Sequence, residues 1–177
     1  MGGASCRLAQ TLSPSALDMN QPIRSGIGYD IHRLAQGGKL ILGGIEIPFD
    51  KGLVGHSDAD VLTHSICDAL LGAACLGDIG SHFPDSDPAF RGASSLDLLS
   101  QVAAMVREQG YDVANIDVVV MAERPRLAPF VAAIRDRLAA VLGVGLDRVS
   151  IKAKTCEGLG AIGRGEAIAA QAVVLLM

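Results

Sequence analysis

The stretch HSDADVLTHSICDALLGAACLG, residues 56–77, decides how the rest of the chain is read. From Val61 its apolar residues recur at helical spacing and no proline interrupts them, which predicts a buried helix over about 58–76. Its beginning is different, with His56, Asp58, Asp60 and His64 crowded together. Ser57 followed by Asp60 matches a capping box, and Asp58 suits the positive end of the helix dipole. Capping therefore accounts for three polar residues and leaves His64 over. Asp60, His64 and Asp68 recur every four residues, so they form one polar stripe on an apolar helix. Such a stripe is either a solvated face or the wall of a site.

Upstream, SGIGYDIHRL (25–34) reads as a strand, on which Asp30 and His32 project from the same face. The chain has four histidines, and three of them lie in these two segments. One carboxylate and two imidazoles make a three-ligand set that leaves a coordination position open, as in catalytic zinc sites. The same set suits non-haem Fe(II), so the ligands alone do not choose the metal.

The remaining elements follow from period and punctuation. KLILGG and IEIPF are two short strands joined through Gly43 and Gly44, and a Gly/Asp/Pro-rich loop covers 77–92. Ser94 with Asp97 starts a second helix that Gly110 stops. ANIDVVVMAE alternates as a strand, Pro129 opens a third helix ending before Gly143, and RVSIKAK and EAIAAQAVVLLM are the last strands. The expected fold class is α/β, an α+β two-layer domain with helices packed on one face of a mixed β-sheet. Residues 1–22 read as a flexible N-terminal leader and 23–177 as a single domain. The leader carries one arginine and no amphipathic period, a poor targeting peptide, although organelle targeting stays open.

Composition narrows the function classes. The net charge is −4, no block is rich in Lys or Arg, and aromatic residues make up 3% of the chain, which argues against nucleic acid. No apolar run reaches the roughly 18–20 residues that span a bilayer, so no membrane role is expected. Cys6, Cys67, Cys75 and Cys156 lie far apart with no C-x-x-C pair, as reduced thiols of a cytoplasmic protein do. Half of the chain is apolar, which tilts the expectation toward an oligomer. GLGAIG (158–163) matches G-x-G-x-x-G, yet only 14 residues follow it, too few for a dinucleotide fold. It reads instead as a Gly-rich loop where backbone N–H groups, Glu157 and Arg164 can meet phosphate and metal, or as a plain turn.

GYDIHRL, KGLVGHSDADVLTHSICDALLGA, GDIGSHFPDSDPAF and IKAKTCEGLGAIGRGE follow one another in a familiar order. Over residues 24–177 the chain resembles the 2-C-methyl-D-erythritol 2,4-cyclodiphosphate synthases of the non-mevalonate isoprenoid pathway. The resemblance implies an enzyme, a phosphorus–oxygen lyase, working as a homotrimer with active sites between subunits. Its substrate would be 4-diphosphocytidyl-2-C-methyl-D-erythritol 2-phosphate, which closes into a cyclic diphosphate as CMP leaves. Asp30, His32 and His64 would bind one zinc ion per subunit, and Glu157 a magnesium or manganese ion on the diphosphate. His56 and Thr155 would stabilise the transition state, with Ser57 as a substrate contact.

By the same resemblance the methylerythritol part would lie against Asp78, Ile79 and Gly80, and against Phe83, Pro84, Asp85, Ser86 and Asp87. The cytidine would lie against Ala122, Glu123, Arg124 and Pro125, continuing through Arg126, Leu127 and Ala128, and against Lys154, Thr155 and Cys156 of the adjoining subunit. Ala161 stands where many relatives have an aromatic residue that contacts the carbon skeleton. Lys154 and Cys156 stand where small hydroxyl or amide residues are common, and His82 has no assigned role. Arg164 and Glu166 match the family's G-R-G-E, with Arg164 either an ion-pair partner or a substrate contact. Two rival readings are a non-haem iron oxygenase and a non-catalytic trimeric binding protein with a structural metal.

Overall fold

A computed structural model describes residues 22–177. The expected leader therefore lies outside the described residues, apart from Pro22. In chain order the elements are β1 (Arg24–Gln36), β2 (Leu40–Leu42), β3 (Ile45–Ile47), β4 (Lys51–Val54) and α1 (Val61–Ala73). There follow α2 (Ile79–His82), α3 (Ser95–Glu108), β5 (Val113–Met121), α4 (Val131–Leu142), β6 (Val149–Lys154), α5 (Gly160–Gly163) and β7 (Ala167–Leu176). Five strands form one mixed sheet in the order β4-β1-β7-β5-β6, and β2 and β3 form a separate ribbon. Only β5 and β6 run parallel, joined by the crossover through α4.

The helix that organises the core is α1. All its residues are buried except His64, Asp68 and Gly72, a stripe of four-residue spacing that opens on one side. It packs against β1, β7 and α3, while α4 covers β6. Two glycines of β1 explain how closely it sits. A Cβ added to Gly26 would come within 1.9 Å of the Ala69 carbonyl oxygen, and one on Gly28 within 1.9 Å of that of Ser65. Only a bare backbone lets the helix lie so near the strand. Asp30 and His32 are the next two residues on that face, and they meet the helix where His64 stands. The opposite face of the same strands leaves Ile27, Tyr29, Ile31, Val173 and Leu175 exposed.

Boundaries shift from the sequence expectations in identifiable ways. The first helix starts at Val61 rather than 58, because Asp60 is its N-cap. The third starts at Val131, after a 3₁₀ turn over Ala128–Phe130 that contains Pro129. Gly143 ends it in the left-handed conformation, as expected of a C-terminal glycine. The strand β4 carries no alternating pattern of its own and was not expected; it pairs with the end of β1. The Gly-rich loop at 158–163 contains one short helical turn, α5, rather than a plain turn.

Candidate active site

The floor of the site is laid by β1 and α1. The Asp30 Oδ2 atom lies 2.9 Å from His32 Nε2 and 3.0 Å from His64 Nδ1. The ligand atoms of the three residues all lie within 4.8 Å of one another. Their side chains are 24%, 16% and 12% exposed in the order Asp30, His32, His64, so the trio is sheltered but reachable. Burial pushes the Asp30 carboxyl up, but hydrogen bonds and attraction from His32 and His64 outweigh it and hold the group well below the usual carboxylate range. The hydrogen bond to Asp30 raises the His32 imidazole above its ordinary value against the opposing effect of burial.

A carbonyl oxygen only accepts, so His32 Nδ1 donates to Val54 O, at 3.0 Å, and its Nε2 is left facing the cluster. An acid and two such nitrogens converging on one point fit a divalent cation with nitrogen and oxygen preference, as zinc has.

The loop before α1 is wired differently from the capping box expected of it. Asp60 caps the helix itself: Oδ1 accepts from Thr63 N at 3.1 Å, and Oδ2 from the Thr63 hydroxyl and the Gly44 amide, both at 2.7 Å. Asp60 is fully buried and spent on these bonds, so it does not share the open stripe with His64 and Asp68. Its burial pushes the carboxyl up, against the hydrogen bonds from Gly44, Thr63 and Gly43. Ser57 is not the cap; its hydroxyl lies 3.0 Å from His64 Nε2. Asp58 turns away from α1 to the start of α3, where it accepts from the backbone amide of Ser95 at 3.1 Å and from the Ser95 hydroxyl. Between Asp58 and Asp60, Ala59 adopts a left-handed φ of 58°, which turns the two carboxylates toward different helices. Ser94, expected to cap α3 with its side chain, makes no such bond.

A cavity of about 400 Å³ stands over this floor. It is lined by Asp30, His32, His56, Ser57 and His64, and on its outer side by Ile79, Gly80, Phe83, Pro84 and Asp85. Asp68 also lines it, and holds α2 in place by accepting from the Ile79 amide at 2.8 Å. Burial raises the Asp68 carboxyl above its ordinary value. The sequence reading placed Asp68 on the stripe without a task. Asp78 caps α2 through the Ser81 amide at 2.8 Å, and Asp87 caps the next turn through the Ala89 amide at 2.9 Å, so both shape the loop without lining the cavity. Ser86 is exposed on the same loop. His82, without an expected role, contacts the Leu76 carbonyl at 2.8 Å and ties the loop to the end of α1.

The other expected contacts gather elsewhere and do not line this cavity. Residues 122–128 and 154–157 meet where β5 and β6 end: Ala122 N donates to Lys154 O at 2.9 Å, and Cys156 N to Glu123 Oε2 at 3.1 Å. Within the turn, the Thr155 hydroxyl donates to Glu157, whose φ of 50° is left-handed. Lys154, Thr155, Glu157, Ala161 and Arg164 are all exposed. Arg124, Pro125, Arg126, Leu127 and Ala128 complete the loop that faces the turn, with a cis bond between Arg124 and Pro125. Arg164 donates to both carboxylate oxygens of Glu166, at 2.8 and 3.1 Å, an exposed ion pair within the chain.

Comparisons with known proteins agree on one family. The YgbB family matches residues 23–177. A protein of Gloeobacter violaceus named 2-C-methyl-D-erythritol 2,4-cyclodiphosphate synthase is 62% identical over 87% of this chain and 94% of its own length. A protein of the same name from Trichlorobacter lovleyi is 57% identical over 88% of this chain and 99% of its own. A solved structure described as 2C-methyl-D-erythritol-2,4-cyclodiphosphate synthase in a CDP-bound form superimposes with a TM-score of 0.81 at 40% identity, covering 87% of this chain and all of that one.

Proposed function

From the premise that the chain belongs to the YgbB family, we propose that it carries out the reaction for which its relatives are named. An oxygen of the substrate's 2-phosphate attacks the β-phosphorus of the same molecule. The bond from that phosphorus to the oxygen of the CMP moiety breaks, and CMP leaves with the electron pair. No water is consumed, which makes the reaction an elimination of CMP by a phosphorus–oxygen lyase. The observation that carries the reading is the convergence of Asp30, His32 and His64 beneath a cavity bordered by Ile79, Gly80 and Phe83–Asp85.

The obstacle to cyclisation is repulsion between two anionic phosphates, and the gain is that both belong to one bound molecule. Asp30, His32 and His64 would hold zinc, and Glu157 a magnesium or manganese ion on the diphosphate. The bound ions would position the phosphates and offset their charge. His56 and Ser57, on the cavity wall, would donate to phosphate oxygens, and Thr155 to the oxygens around the β-phosphorus. Asp78–Gly80 and Phe83–Asp87 would enclose the methylerythritol part and keep water from it. The backbone of 122–128 and 154–156 would take the cytidine. With Ala161 small, the carbon skeleton loses an aromatic contact there. No protein nucleophile is needed.

Two observations support a homotrimer with sites between subunits. The cytidine-side residues do not line the metal-side cavity of their own chain, and the sheet face carrying Ile27, Tyr29, Ile31, Val173 and Leu175 is apolar and exposed. Residues 23–177 would be the catalytic domain, and the free thiols Cys67, Cys75 and Cys156 suit a reducing, cytoplasmic setting. No helix among the described residues is long and apolar enough to cross a membrane. The test is direct: purified protein with zinc and magnesium should convert the substrate to the cyclic diphosphate with equimolar CMP, measured by phosphorus NMR. Absence of both products would overturn the reading.

A further inference from the structure

We propose that Ser95 and Asp58 are positioning residues that orient His64 and select the ring nitrogen it offers to the cation. The inference rests on the metal reading of the Asp30–His32–His64 trio and deepens it. Ser95 opens α3 and is fully buried. A buried hydroxyl needs partners, and this one is not used to cap its own helix. Its Oγ lies 2.9 Å from His64 Nε2 and is bonded to Asp58 Oδ1, while its backbone N–H donates to Asp58 Oδ2 at 3.1 Å. Asp58 thus engages one residue with both carboxylate oxygens.

The direction of these bonds follows from what each group can do. A carboxylate accepts only, so the hydroxyl hydrogen of Ser95 is committed to Asp58. The Ser95 oxygen then presents a lone pair to His64, and Nε2 must carry the hydrogen, which also faces the Ser57 hydroxyl oxygen 3.0 Å away. In the neutral ring that ligates a cation, Nδ1 is left bare, and Nδ1 is the atom 3.0 Å from Asp30 Oδ2. His32 is arranged in the opposite sense, with Nδ1 donating to the Val54 carbonyl and Nε2 facing the cluster. The two imidazoles therefore present different nitrogens to one point. A backbone carbonyl selects the first, and a serine held by an aspartate selects the second. The path also fixes α3 to the site, because Asp58 N donates to Ala93 O at 3.1 Å and Gly92 N to His56 O at 2.9 Å.

The experiment measures zinc alone, by competition with a chromophoric chelator, and reads the histidine tautomers of the zinc-loaded wild type by nitrogen-15 NMR. His64 should show a protonated Nε2 and a metal-bound Nδ1, and His32 the reverse. Ser95→Ala should bind zinc about 10–100-fold more weakly than wild type, the usual cost of losing an outer partner of a ligating histidine. Affinity within about threefold of wild type in a folded Ser95→Ala protein, or a protonated Nδ1 on His64 in the loaded wild type, overturns the proposal. If the variant does not fold, the wild-type tautomer still decides. Wild type that takes up no zinc overturns this inference along with the metal reading. Wild type that binds zinc with these tautomers yet releases no CMP leaves the positioning role standing and removes only the proposed reaction.

Discussion

At the floor of the cavity Asp30, His32, His64 and Ser95 each have at least two polar partners within the chain, drawn from β1, β4, α1, α3 and the loop before α1. At the ends of β5 and β6, Thr155 and Glu157 are exposed and bonded mainly to each other, with Glu123 as the one side chain that latches the turn to the neighbouring loop. The first region is held by side-chain bonds within the chain, whereas the second has a defined backbone and exposed side chains. If the proposed function holds, a site divided in this way would keep its charged chemistry on the floor and leave the neutral part of the ligand to the exposed turn.

The contrast can be broken at its strongest point first. His64→Ala should lower turnover by at least about a thousandfold, the scale of losing a main stabiliser of developing charge, and should lower bound zinc in parallel. Its melting temperature should stay within a few degrees of wild type. Full zinc content and normal turnover would remove His64 from the ligand set.

Asp60→Ala should instead act on the fold. It removes the cap of α1 and strands the half-buried Gly44 amide and the buried Thr63 donors, so denaturant unfolding should show a loss of about 2 kcal/mol. An unchanged midpoint would mean that Asp60 does not stabilise the start of α1 and its junction with Gly44.

Glu123→Ala gives the smallest change and tests the other region. It should raise KM for the cytidyl substrate about fivefold while kcat and the melting temperature hold, the pattern of lost uniform binding. A fall in kcat matching the floor variants would erase the distinction between the two regions.

The same contrast explains what could be read from the sequence. Asp30 and His32 were legible because strand alternation puts residues two apart on one face, and His64 because capping left it without an explanation. The task of Asp58 was not legible. Its spacing from α1 invites a local capping role, and only the tertiary approach of α3, 37 positions on, gives it another. Ser95 was hidden for a related reason: of two adjacent serines at a helix start, either can be the cap, and sequence does not say which is freed for other work. Ala59 shows no signal at all, since nothing in an alanine between two aspartates marks the left-handed backbone it adopts. At the ends of β5 and β6 neither periodicity nor pairing marks the exposed residues; the Gly-rich loop pointed to Glu157 and Arg164, and only the ordered motifs of a family to the others.

The strand β1 has a consequence for how such a chain can change over generations. Between Gly26 and His32 its residues alternate between two obligations. Gly26, Gly28, Asp30 and His32 face the helix, while Ile27, Tyr29 and Ile31 face outward. The outward set can be altered one residue at a time with the inward set left untouched, whereas any side chain at Gly26 or Gly28 would collide with the backbone of α1. A single-residue insertion or deletion exchanges them, putting bulky side chains where the helix needs bare backbone and turning the acid and imidazole away from His64. Descendants of this sequence should therefore vary at the outward positions of this strand but keep its length and its inward residues.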